Sequence, residues 1–382
     1  MRVFISAGEA SGDALGAALV RELKARRPDL IAYGMGGPRM QAEGFEVVKS
    51  SNELNVVGLF EVLRHLPRLF RLLDELARAA IAGKPDVAVL IDVPDFNVRL
   101  ARRLARAKVP VAGYVGPSVW AWRAGRVKTF KRWMNRMLVL FPFEVDVWRD
   151  AGMDVECVGH PLLDEVAPAS MALAKPRVVA LLPGSRHSEI KRHLEVMLRT
   201  AKRLRDDGLV DRFVLPVAPT LDLEALAARV AEHGLSEVVT LVEADAEARR
   251  QAIAESSVAL VASGTATLET TLVGRPQVIF YRVNWLSFWI GRMLMKVKHF
   301  GLPNIIAGRE IAPELLQGEL NVDRLYGEAQ RLLADEQARQ VALQGVEEVR
   351  ERLGEARAAA RAAEAVLAMV PGALPAGGHS GP

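Results

Sequence analysis

Short apolar runs, each long enough for one buried strand, alternate along this chain with longer amphipathic stretches. "VFIS" precedes a helical pattern from Asp13 to Arg27, "LIAYGM" leads into "GGPRMQAEG", and "VAVLID" precedes Val98 to Ala107. "VAGYV" is followed by a basic stretch from Trp120 to Asn135, and then come "MLVLF" and "VECVG". After Ala167 to Pro176, "APASMALAKP", the rhythm restarts with "VVALLPGS", "FVLPVAPT", "VVTLVE", "SVALVASGT" and "PQVIFY". A strand-then-helix order constrains the fold strongly, because parallel strands need crossovers and helices supply them. The restart predicts two doubly wound parallel α/β domains facing a central cleft, over residues 1–167 and 176–340. A C-terminal helix is expected over 341–370, in an Ala/Glu/Arg-rich stretch from Val322 to Met369 broken near Gly354; 371–382 reads as a disordered tail.

The 382-residue length fits two domains better than one core. Lys and Arg number 50 against 46 acids, for a net charge of +4. This balance permits an anionic substrate or membrane face, and no block of like charge reads as a nucleic-acid arm. Cys157 is the single cysteine, so an internal disulfide and a cysteine zinc site are excluded. The N-terminus enters a strand without a signal-peptide h-region, and no apolar run approaches the ~18 residues of a membrane span. A cytoplasmic location is expected.

The unusual residues all follow the strands. "GEASGD" follows "VFIS", "PDFN" follows "LIDV", "GPSVWAWR" follows "GYV", "GH" follows "VECV", "PGSR" follows "ALL", and "SGTATLE" follows "LVA". In open parallel sheets ligands bind outside the carboxyl ends of the strands, so these loops are the candidate site.

Each motif also has a purely structural alternative. "AGEASGD" is a Gly-rich turn suited to anions at a helix start, or a tight turn capped by Ser11 or Asp13; Glu9 is an acid that a turn does not need. In "LLPGSRHSEI", Gly184 and Ser185 open the backbone and Arg186 offers a fork for phosphate oxygens, unless this is an ordinary turn with an exposed arginine. His187 and His193 share no helical face well enough for a metal pair. In "VASGTATLET", Thr265 or Thr267 can cap a helix, and Glu269 either receives ribose hydroxyls or caps at N3. In "DVPDFN", strand alternation sends Asp92 to one face while Pro94 turns Asp95 past the sheet edge. Asp95 is alternatively a turn residue before an Asn97 cap, and Asp92 an acceptor that holds the turn. Val57 to Ala80 and Asn284 to Phe300 carry apolar and basic faces, as interfacial helices do, and core packing is the alternative.

Taken together, "GEASGD", "DVPDFN", "PSVWAWR", "LPGSR", "ASGTATLE" and "LPNIIAGREIAPELLQ" resemble the lipid-A-disaccharide synthase family, in order, from Ser6 to about Gln317. Gly116 stands where that family often has Ser, and "KVKHFG" lacks its usual "PY" flavour. The resemblance implies the glycosyltransferase type B fold, with two Rossmann-like domains. It implies an inverting transfer from UDP-2,3-diacylglucosamine to the 6-hydroxyl of 2,3-diacylglucosamine 1-phosphate (lipid X), giving a β-1,6 disaccharide 1-phosphate and UDP. No metal, cofactor or nucleic acid is implied, and the work is done peripherally on the inner face of the cytoplasmic membrane of a Gram-negative bacterium. A homodimer is compatible with it. Asp95 is then the first choice for catalytic base and Glu9 the second. Arg186 with Gly184 and Ser185 would support the diphosphate, and Ser263, Gly264, Thr265 and Thr267 would lie at the phosphates. Glu269 would bind the ribose and Asn304 the nucleotide or sugar. Ser11, Gly12, Asp92, Ser118 and Trp120 would line the acceptor side, and Leu66, Leu69, Phe70, Trp285, Phe288 and Trp289 would meet acyl chains or membrane. Other UDP-sugar enzymes of this fold, such as the peptidoglycan lipid glycosyltransferase or a UDP-N-acetylglucosamine 2-epimerase, would have no reason for "PSVWAWR". A non-catalytic nucleotide-binding or scaffold protein would bind UDP without turnover. A dehydrogenase is disfavoured because no G-x-G-x-x-G with a downstream acid is present.

Overall fold

The computed structural model describes the chain except for residues 55–61, 121–123, 167–173, 244, 285–297 and 374–382; the side chains of 62–66 and 124 also lie outside the described set. The chain divides into two compact units, Met1–Pro161 with Ala356–Pro382, and Leu162–Glu355. The expected linker Ala167 to Pro176 lies mostly outside the described residues.

The first unit holds a seven-stranded sheet in the order β3-β2-β1-β4-β5-β6-β7. Its strands are β1 (Arg2–Ala7), β2 (Ile31–Gly36), β3 (Glu46–Ser50), β4 (Val87–Ile91), β5 (Val111–Tyr114), β6 (Arg136–Val139) and β7 (Asp154–Cys157). The second unit holds six strands in the order β10-β9-β8-β11-β12-β13. These are β8 (Val178–Leu182), β9 (Arg212–Val217), β10 (Val239–Glu243), β11 (Val258–Ala262), β12 (Gln277–Tyr281) and β13 (Glu314–Leu316). Every strand pairing in both sheets is parallel. The central strands are buried along their whole length, as "VAVLI" in β4, "VVALL" in β8 and "VALVA" in β11 show. Helices cover both faces of a parallel sheet, so its strands read as unbroken apolar runs.

Edge strands β3 and β13 are absent from the sequence expectation for a related reason. In β3, Val47 and Val48 are exposed and the strand pairs on one side only, so "EVVKS" carries no apolar run. Strand order reverses between β1 and β4, and again between β8 and β11. At the first reversal Ala7 pairs with Ile91, so Gly8 and Asp92 emerge side by side. At the second, Val261 pairs with Leu182, so Pro183 and Ala262 emerge together.

The C-terminal stretch is three helices rather than one broken helix. Asp335 ends Val322–Ala334 and caps Glu336–Leu353 by accepting from Gln337 and Ala338 N–H at 2.9 and 3.1 Å. Gly354, with φ of 79°, ends that helix as the sequence suggests. The next helix, Ala358–Leu367, is grouped with the first unit, so residues 341–370 are divided between the two units. There Arg26 binds Glu364 at 2.9 Å, and Arg136 donates to the Ala365 carbonyl at 3.1 Å. Order continues past Pro371, the start of the expected disordered tail: Arg27 donates to the carbonyl of the buried Ala373 at 3.0 Å. The rest of that tail, 374–382, lies outside the described residues.

Leu367 is fully buried in the first unit. Leu367→Ala is expected to cost about 2–5 kcal/mol in chemical denaturation, as buried Leu truncations do. Hydrogen exchange should rise in the helix Ala10–Arg26, and β8 to β13 should keep their protection.

Candidate active site

In the second unit a cavity of about 470 Å³ opens at the β8/β11 reversal. That volume suits a small-molecule ligand. Gly184, Ser185 and Arg186 line it from the β8 loop, and Ser263, Gly264, Thr265 and Ala266 from the β11 loop. Gly264 adopts φ 156° and ψ −163°, a region open essentially to glycine, and serves as N-cap of the helix Thr265–Leu272. The start of this helix therefore faces the cavity, where its dipole favours an anion.

Glu269 lines the same cavity and is 2% exposed. It is not a cap. Its two oxygens accept from Arg249 Nε and Nη2, both at 2.9 Å. A paired carboxylate keeps further lone pairs for hydroxyl donors. Arg249 also lines the cavity and was missed, because "EARRQ" looks like any solvated helix face. Glu189 was missed too. It accepts from the backbone N–H of Ser185 at 2.9 Å and of Arg186 at 3.3 Å, a capping contact that its position three residues after Arg186 could have signalled. The Ser185 amide is thus committed to Glu189, while the Arg186 guanidinium is exposed.

Two expected residues do not line the cavity. Thr267 is fully buried and its hydroxyl donates to the Gly264 carbonyl at 2.7 Å, fastening the helix start. Asn304 is also fully buried, and its amide is saturated from within. It donates to Ala312 O and Glu314 Oε1 at 2.8 and 2.7 Å and accepts from Ile311 and Ala312 N–H at 2.8 and 3.0 Å. With every hydrogen-bonding position used, Asn304 braces the turn before β13 instead of holding a ligand.

In the first unit the β1 and β4 loops meet at the other reversal. A Cβ on Gly8 would lie 2.8 Å from Val93 Cγ2 and 2.6 Å from Leu54 Cδ1, so a larger residue would push these side chains aside. Asp92 and Val93 have φ of 53° and 37°, and Val115 at the end of β5 has 65°. For β-branched valine this is a true outlier, and such residues cost about 1–3 kcal/mol each. Pro94 then starts the helix Pro94–Arg106, and Asp95 sits in its first turn. The Asp95 side chain is 73% exposed and binds Arg126 Nη2 at 2.6 Å. Asp92 is half-buried, and burial raises its carboxyl pKa against the pull of the Val93 N–H. Asn97 does not cap the helix, since Val93 is the N-cap. Its buried side chain holds the turn, a role the sequence suggested for Asp92: Nδ2 donates to Ile91 O and Asp92 O at 3.0 and 2.6 Å.

Glu9 is the exposed N-cap of the helix Ala10–Arg26, with no side-chain capping bond. Ser11 is exposed and Gly12 buried beside it. Asp13 caps a different helix, accepting from Gly37, Arg39 and Met40 N–H at 2.8, 3.0 and 3.1 Å. After β5, Ser118 is exposed and Trp120 half-buried, with its ring edge-on to Phe143 at 5.1 Å; Trp122 lies outside the described residues. Trp120 also donates to Glu144, which accepts from Leu140 and Phe141 N–H at 3.2 and 3.1 Å. Burial pushes the Glu144 carboxyl up to about 7, outweighing these bonds. Burial pushes His160, whose ring lies 5.2 Å from that of Phe141, down to about 4.

The helix Val62–Ala82 is both core and surface. Leu72, Leu73, Leu76, Ala77 and Ala80 are buried, Leu69 is half-buried, and Phe70 is 48% exposed beside exposed Arg68 and Arg71. The Leu66 side chain and Trp285, Phe288 and Trp289 lie outside the described residues. No described helix is long and apolar enough to cross a membrane.

Two doubly wound parallel units, one carrying a ligand cavity at its switch point, define the type B fold of glycosyltransferases. The fold matches a crystal structure of the glycotransferase of kitacinnamycin with a TM-score of 0.64 at 16% identity, covering 97% of this chain and 99% of that one. It matches CalG4, the calicheamicin glycosyltransferase, at 0.61 and 18%, covering 98% and 99%. The chain belongs to the lipid-A-disaccharide synthase family, and is thus a glycosyltransferase that uses a UDP-sugar. The family model for lipid-A-disaccharide synthetase matches residues 3–369. The lipid-A-disaccharide synthase of Myxococcus xanthus is 46% identical over 379 residues, 97% of this chain and 98% of that protein. That of Anaeromyxobacter dehalogenans is 43% identical over 377 residues, 97% of each.

Glu144 yields a pH prediction. Its folded pKa of about 7 lies above the ordinary 4.5, so its contribution is full below pH 4.5 and lost as pH rises through 7. His160, lowered from 6.5 to about 4, acts oppositely: its contribution is present above pH 6.5 and lost as pH falls through 4. Glu144→Gln keeps an acceptor for the backbone donors. It should remove up to roughly 3 kcal/mol of stability loss between pH 4.5 and 7, visible as a flatter Tm-against-pH curve.

Proposed function

We propose that this chain transfers 2,3-diacylglucosamine from UDP-2,3-diacylglucosamine to the 6-hydroxyl of lipid X, with Asp95 as the base. The observation that carries this reading is the convergence of the motif loops on the two chain reversals: Gly8 against Val93 in the first unit, and the "PGSR" and "SGTATLE" loops around one cavity in the second. Asp95 is solvent-accessible at a helix start, where a bulky hydroxyl donor can reach it. As the 6-hydroxyl oxygen bonds to the anomeric carbon, the bond from that carbon to the UDP oxygen breaks. The hydroxyl proton passes to the Asp95 carboxylate, and the electron pair of the broken bond stays on UDP. Glu9, on the neighbouring loop, is the second candidate for the base.

The donor nucleotide is assigned to the second unit. There Arg186 and the start of the helix Thr265–Leu272 offset the diphosphate charge, with Ser263, Gly264 and Thr265 beside it. Glu269, held by Arg249, accepts ribose hydroxyls. The acceptor is assigned to the first unit, with Ser11, Gly12, Asp92, Ser118 and Trp120 near it. The reading includes peripheral attachment to the inner face of the cytoplasmic membrane through the face carrying Phe70, Arg68 and Arg71. A homodimer is compatible with it.

UDP release from UDP-2,3-diacylglucosamine and lipid X is the direct assay. Asp95→Ala should lower turnover by about 10²–10⁴-fold while leaving UDP affinity unchanged. Near-normal turnover would sink the base assignment, and UDP binding without release from these two substrates would overturn the substrate assignment. Phe70→Ser should weaken co-sedimentation with anionic vesicles several-fold at unchanged Tm. Equal partitioning of wild type and variant would overturn the membrane face.

A further inference from the structure

The strained turn before Asp95 has a built support. Among the described residues, Val93 and Val115 are the only β-branched ones with positive φ, and both sit at the carboxyl ends of the adjacent strands β4 and β5. The two ends are tied, since Asp92 N–H donates to Tyr114 O at 3.0 Å. Backbone in this region persists only where its surroundings over-determine it, and it clusters at functional sites.

One side chain supplies much of that determination. Asn97 is 2% exposed and its Nδ2 donates to the carbonyls of both Ile91 and Asp92, at 3.0 and 2.6 Å. Its Oδ1 accepts from Ser6 Oγ at 3.3 Å, and Ser6 is fully buried on β1. The two carbonyls fix which way the amide points, and the Ser6 hydroxyl, which can donate or accept, donates to the oxygen on the other side. A flipped amide would set its oxygen against two carbonyl oxygens. One amide therefore ties β1, the end of β4 and the helix that begins with Pro94 and Asp95.

We propose that Asn97, anchored to β1 through Ser6, is a positioning residue for the transfer: it holds the left-handed Asp92–Val93 turn so that Asp95 is presented at a fixed point. This rests on Asp95 as the base. The amide touches neither reactant, and its effect passes through the placement of that carboxylate. Misplacement of a reacting group by an ångström costs about 10²-fold in rate.

The test is a kinetic cycle on the full chain. Asn97→Asp keeps the size and removes the two donors. It should lower kcat by about 10²-fold with KM for the UDP-sugar within about twofold. Ser6→Ala leaves both amide donors in place but removes the tie to β1, and should lower kcat by about tenfold. In an Asp95→Ala background both losses should vanish, because groups acting through one another are non-additive. Wild-type kcat in a folded Asn97→Asp variant overturns the proposal, as do losses that persist in full in the Asp95→Ala background. If Asn97→Asp does not fold, Ser6→Ala decides, and wild-type kcat there overturns it. Full activity of Asp95→Ala alone overturns the base assignment instead, so the two failures are separate.

Discussion

Parallel pairing is the constraint on which the rest depends. Because every strand in each sheet runs the same way, every carboxyl end in that sheet lies along one edge. A reversal of strand order then leaves a crevice between two strands whose crossovers depart to opposite faces. In this chain the reversals fall between β1 and β4 and between β8 and β11, and the polar motifs "GEASGD", "DVPDFN", "PGSR" and "SGTATLE" occupy those four strand ends. Topology thus brings together loops that are 80 or more residues apart, as the 84 residues between Arg2 and Asp86, bonded at the start of the same two strands, illustrate.

The two crevices are organised by different physics. In the second unit the cavity is electrostatic, with each glutamate on its wall already engaged: Glu269 by Arg249, and Glu189 by the amides of Ser185 and Arg186. A buried carboxylate needs such partners, and they preset the geometry around a ligand. In the first unit the crevice is shaped by conformational strain. Two valines and an aspartate take left-handed backbone, and a buried amide holds the Asp92–Val93 part of it.

Much of this was legible from sequence. The central strands read directly, since a strand covered on both faces must be apolar throughout, and the polar residues just beyond each strand marked the loops. The edge strands β3 and β13 did not, because half-exposed short strands carry no such pattern. Among site residues, Gly184, Ser185, Arg186, Ser263, Gly264, Thr265 and Glu269 come together around one cavity. Thr267 and Asn304 turn inward instead, because a buried hydroxyl and a buried amide find partners within the fold. Arg249 and the Ser6–Asn97 pair were hidden, since a partner across the fold leaves no local pattern.

What the sequence by itself determined is the order of strands and helices, the division into two α/β units and the chemistry of each strand-end loop. These follow from local periodicity and from residue types that only certain backbone and ligand geometries require. What only the tertiary structure decided is which of those residues meet. It set Arg249 on Glu269, turned Asn304 into a brace, and returned the final helix to the first unit. It also gave the holding of the Asp92–Val93 turn to Asn97. The physical reason is that pairing across long sequence separations depends on strand order and register, and neither is written in any local stretch of the chain.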